Sequence, residues 1–177
     1  MSPITLLAVI LTWLTACSPG NKNQNTIPLF DLKNYFESQV AALKQSNPKV
    51  QKRVVQNGQV ESRDMQIEDW NAELKPFLES DISKPALRNS YKVDTLEEGH
   101  HIIYTAVDSS QSVRIVDLVM DKNSVSRISI LKGSGGLLLQ SMQSLTWSPR
   151  NGYSITGNQS VSMGKGNDYS VKVTFLN

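Results

Sequence analysis

Chemistry-bearing residues are scarce in this chain. One cysteine, Cys17, and two histidines, His100 and His101, occur in 177 residues. A single cysteine excludes an internal disulfide framework, and so few soft ligands make a zinc site depend on an unusual carboxylate-rich set. Excess charge of one sign is also missing. Eighteen Lys and Arg stand against 16 Asp and Glu, which leaves no basic footprint for nucleic acid. No serine lies in a Gly-x-Ser-x-Gly elbow, and Gly133-Ser134-Gly135-Gly136 lacks the Lys-Ser/Thr of a phosphate loop. Gly164-Lys165-Gly166-Asn167 likewise reads as a turn. His100 and His101 are neighbours on a strand, where successive side chains point to opposite faces, so the two rings do not converge. Glu97-Glu98 and Glu68-Asp69 are adjacent pairs, without the facing geometry of a two-carboxylate hydrolase. The reading is therefore of a non-enzymatic chain with no catalytic residue, no metal and no cofactor.

What is present is first an address. Residues 4–11 are the apolar run Ile-Thr-Leu-Leu-Ala-Val-Ile-Leu, and Leu14-Thr15-Ala16-Cys17 follows with small residues directly before the cysteine. Thirteen residues, 4–16, are too few to cross a bilayer, which takes about 20. The segment 1–17 resembles the lipobox signal of bacterial lipoproteins. That resemblance implies removal of residues 1–16, acylation of Cys17 with palmitate-type chains, and a lipid-anchored protein of the cell envelope. Ser18, rather than Asp, is similar to the outer-membrane class, facing the periplasm. Two or three acyl chains hold more firmly than one.

Residues 17–27 form the lipidated tether: Ser18 to Thr26 is polar, Asn-rich and without periodicity. Residues 28–177 are then of a size for one domain. Leu32, Tyr35, Phe36, Val40 and Leu43 recur at spacings of three and four, which predicts a helix from Asp31 to about Gln45, stopped by Asn47-Pro48. Asn57-Gly58 predicts a type I′ hairpin joining Val50–Gln56 to Gln59–Ile67. A second helix is expected over Glu68–Asp81, with Trp70, Leu74, Phe77 and Leu78 inward. Pro76 predicts a kink or break near residues 72–75. From Asn89 onward turn clusters recur at strand spacing. The fold class is α+β: two helices and a hairpin, then a seven-strand antiparallel meander forming a twisted sheet, with the helices on one face.

Pairing Trp147 with Tyr153 sets Leu145 against Ile155, Gln143 against Gly157, Ser141 against Gln159 and Leu139 against Val161. Pairing Met163 with Tyr169 then lays Phe175 over Gly157, an aromatic covering bare glycine backbone at a bend. Gln143, Ser141 and Gln159 form a polar waist, beyond which Trp147, Arg150 and Tyr153 read as an exposed tip. Between Gly133 and Met163 the only charge is Arg150. Trp, Tyr and Arg are the side chains that interfaces favour, which makes these three the candidate partner contact. A cross-strand Asp117–Arg127 contact is also expected.

Two functions fit these readings. The first is a membrane-tethered, non-enzymatic binding or assembly module whose ligand is an envelope protein or an apolar molecule. The alternative is a lipid or lipoprotein carrier whose curved sheet encloses an apolar ligand, on an architectural likeness alone.

Overall fold

The computed structural model describes residues 28–136, 139–161 and 166–176. The first helix, α1 (Leu32–Ser46), begins where the Asp31 carboxylate accepts from the Asn34 amide at 2.9 Å. It ends at Asn47, whose left-handed backbone (φ 41°) precedes Pro48. Leu32, Phe36, Val40 and Leu43 form its buried stripe. Four such side chains contribute on the order of 6–12 kcal/mol before the entropy of ordering them is subtracted. The second helix, α2 (Trp70–Leu78), starts at Asp69, which accepts from the amides of Asn71 and Ala72. Pro76 does not break it. The helix is shorter than the expected Glu68–Asp81 but spans the whole apolar pattern from Trp70 to Leu78, and the Ser80 hydroxyl satisfies the Pro76 carbonyl at 2.7 Å.

Strands β1 (Lys49–Gln56) and β2 (Gln59–Gln66) pair with Gln56 opposite Gln59, as the hairpin signal requires. Asn57 and Gly58 both have positive φ, 49° and 83°. The later strands are β3 (Tyr91–Leu96), β4 (His101–Ala106), β5 (Val113–Asp121), β6 (Ser124–Gly135), β7 (Leu139–Ser148), β8 (Gly152–Val161) and β9 (Asn167–Phe175). All nine strands belong to one open antiparallel sheet, in the order β2-β1-β9-β8-β7-β6-β5-β4-β3. The sheet thus has nine strands rather than seven, because the hairpin joins it through β1 alongside β9. Backbone groups on β9 that would otherwise be a free edge are satisfied by β1.

Along β7 and β8 the register is Trp147 with Tyr153, Leu145 with Ile155, Gln143 with Gly157, Ser141 with Gln159 and Leu139 with Val161. The β8–β9 register differs from expectation. Gly157 pairs with Tyr169, not Phe175, and the last pair of this ladder among the described residues is Gln159 with Asn167. The midpoint of that pair, 163, lies three residues before the midpoint of a Met163–Tyr169 pair, which slips the register by six. Six is even, so every β9 side chain keeps its face. Met163, on which the expected register turned, lies outside the described residues.

An aromatic does cover Gly157, but it is Tyr169: a Cβ at 157 would collide with its ring. The Tyr169 hydroxyl accepts from Gln143 Nε2 at 2.6 Å. Gly157→Ala is expected to displace that ring, break this bond and cost about 1–2 kcal/mol. Urea unfolding checks it, and an unchanged midpoint would show that the ring does not rest on the glycine. Phe175 instead sits opposite Val50 on β1, with its ring centroid 6.3 Å from that of Trp70 and 6.1 Å from that of Trp147.

Both helices pack on the sheet face that carries Tyr104, Val116, Leu118, Ile128, Ile130, Leu145, Trp147, Tyr153 and Val173. The opposite face runs to hydroxyls. Ser129, Thr146 and Ser154 form one cross-strand row, and Ser144, Thr156 and Ser170 the next.

Candidate functional site

The expected contact tip is not on the surface. Trp147 is 1% exposed and Tyr153 4% exposed, and of the three residues only Arg150 faces solvent. Phe36 of α1 and Phe77 of α2 lie over Trp147 with ring centroids at 5.7 and 6.3 Å, and Phe77 meets Tyr153 edge-on at 5.9 Å. The Trp147 indole donates to the Tyr35 hydroxyl at 3.1 Å. The helices dock on this end of β7 and β8, so the polar waist bounds the core and does not separate a tip from it. Arg150 lines a polar cleft of about 520 Å³ between the turns at 121–126 and 148–151, with Asp121 and Lys122 beside it.

The histidines stand apart, but only His101 lies on β4; His100 precedes the strand in helical backbone, so strand alternation is not what separates them. His100 Nδ1 lies 2.8 Å from the Glu97 carbonyl in a local turn, and His101 Nε2 is hydrogen-bonded to Asp117 Oδ1 at 2.9 Å. Asp117 is therefore taken by His101. No Asp117–Arg127 ion pair forms among the described residues, where Arg127 is exposed. Nor are three His, Cys, Asp or Glu side chains grouped as ligands among the described residues.

A polar knot was not foreseen. Lys52 of β1 donates to both oxygens of Glu73 of α2, at 2.7 and 2.8 Å, and the Tyr153 hydroxyl donates to the same carboxylate. Burial first, and then the Glu73 charge and its hydrogen bond, push the Tyr153 phenol far above its ordinary range, so it remains a neutral donor. Each member has partners, which is how a charged group is tolerated under a helix. The knot fastens α2 to β1 and β8, and its acceptor is fully engaged.

A cleft with a more apolar lining lies at Pro28 to Tyr35. Pro28, Leu29, Phe30 and Tyr35 face Ile102 and Tyr104 of β4 across a cleft of about 630 Å³. That volume is within the range of small-molecule sites, and the lining is predominantly apolar. The Tyr104 ring, 1% exposed, is its floor, and burial raises the pKa of its phenol. The Phe30 and Tyr35 rings meet at 5.6 Å. Sequence reasoning missed this cleft. Leu29-Phe30 was a visible apolar pair before the helix, but its approach to Ile102 is a long-range contact that no local period encodes. Such a cleft supports binding of apolar groups. No protein-family model and no curated protein sequence matches the chain.

Proposed function

We propose that this chain is a lipoprotein of the bacterial envelope, anchored through acyl chains on Cys17, whose folded domain is a non-enzymatic binding or assembly module. The observation that carries the reading is Leu14-Thr15-Ala16-Cys17 after the apolar run 4–11. Ser18 favours the outer membrane, facing the periplasm. Ten residues, 18–27, then separate the cysteine from Pro28, a reach of up to about 35 Å. Among the described residues no helix is long and apolar enough to cross a membrane.

The space between the helices and the sheet is filled by Phe36, Phe77, Trp147 and Tyr153. This packing favours the binding module over a carrier that encloses its ligand between those layers. Apolar ligands are left the cleft at Pro28–Tyr35. Cys17→Ser is expected to abolish acylation and to leave the unprocessed precursor. Metabolic labelling with a palmitate analogue reads this directly, and equal labelling of the variant would overturn the proposal.

A further inference from the structure

We propose that the cleft between Leu29-Phe30 and β4 seats one acyl chain of the protein's own Cys17 lipid whenever the protein is away from a bilayer. The inference rests on the lipoprotein reading above. Three observations carry it. The cleft is apolar, and the Phe30 ring on its wall packs against the Tyr35 ring with centroids 5.6 Å apart. At its rim Asp31 accepts from the Asn34 amide at 2.9 Å, and Ser38 Oγ donates to the Tyr35 carbonyl at 2.6 Å. These local bonds leave the apolar walls as the larger contact surface for a ligand. Finally, Pro28 is itself a wall of the cleft, so the ten residues 18–27 that lead back to Cys17 start at its mouth.

The occupant follows from these. An acyl chain in water is penalised in proportion to its methylenes, and the cleft relieves part of that penalty. The tether makes docking intramolecular, which gives the protein's own lipid a high effective concentration over any free one. A bilayer covers the whole chain and the open cleft only part of it. The bilayer therefore takes the lipid where one is present, and the cleft takes it in water.

The test uses the full lipidated protein, labelled in cells with a palmitate analogue carrying an alkyne and a diazirine. It is irradiated once in membranes and once after detergent extraction and detergent removal. The expected result is label on peptides spanning 28–38 and 101–106 of the same chain, in the second sample only. Leu29→Asp is expected to lower that yield by about tenfold, because a charge replaces an apolar contact. Should Leu29→Asp misfold, Ser38→Trp, which fills the cleft from the exposed side of α1, serves in its place. Label that reaches only lipid, detergent or other chains overturns the inference and leaves the anchor standing. A protein that takes up no label overturns the anchor itself.

Discussion

Trp147→Ala is expected to cost about 3–5 kcal/mol, the range for truncating a large buried aromatic. The indole is 1% exposed and lies among Phe36, Phe77, Tyr153 and Phe175, with ring centroids between 5.7 and 6.4 Å away. Removing it opens a cavity that these rings, on four different elements, do not close without each leaving its own packing. It also strips the Tyr35 hydroxyl of its indole donor. Against a typical total stability of about 5–15 kcal/mol, the loss takes a large share of what keeps the domain folded. Urea unfolding followed by far-UV circular dichroism measures it. Arg150→Ala, on the exposed turn beside it, is expected to change stability by less than about 0.5 kcal/mol. A Trp147→Ala loss below about 1 kcal/mol would mean that the helices do not rest on this residue.

Gly152→Ala is the second large effect, at about 3 kcal/mol or more. Gly152 has φ +112°, a conformation that side chains disfavour by about 1–3 kcal/mol. A Cβ there would also collide with the Val173 carbonyl oxygen, which is backbone and has no rotamer to change. Relief requires β9 to move away from β8 at the Gly152–Thr174 pair, next to the buried Tyr153–Val173 pair. Overpacking of this kind adds about 1–3 kcal/mol. Gly157→Ala is milder because its obstacle is the Tyr169 ring, which has room to turn. Equal stabilities for the two glycine variants would contradict the backbone contact at Gly152.

Local pattern made much of the fold legible. Spacings of three and four located α1 to within a residue at each end, and Asn57-Gly58 gave both the hairpin and its register. The short β7–β8 turn made that register readable too. The β8–β9 pair was not readable. Gly164-Lys165-Gly166 looks like a tight turn, but among the described residues Gln159 pairs with Asn167 and Gly157 with Tyr169. Several Ser and Gly lie between the two strands in sequence, and composition does not choose which of them centres the hairpin. The two strands carrying Trp147 and Tyr153 are legible in the sequence, but not what lies over them. Which stretch of a sheet a helix covers depends on contacts such as Phe36–Trp147 and Phe77–Tyr153, which join residues far apart in sequence. The cleft beside Pro28 escaped notice for the same reason, since its floor, Tyr104, belongs to the meander. Cys17, by contrast, announces itself through neighbours in sequence alone.

The pairing of β1 with β9 also has a consequence in time. Val50 meets Phe175, and Lys52 meets Val173, so one of the first strands made is held by the last. The two helices likewise find Trp147 and Tyr153 only after most of the chain is available. Delivery from the amino end, as export would require, presents α1, β1, β2 and α2 long before their partners arrive. Sheets closed by such distant contacts form slowly. A chain exported in that way would have to cross unfolded and complete its core afterwards, once β9 is available. A chain ending before residue 167 would leave β1 without its inner neighbour and β8 with an open edge, which is a template for aggregation.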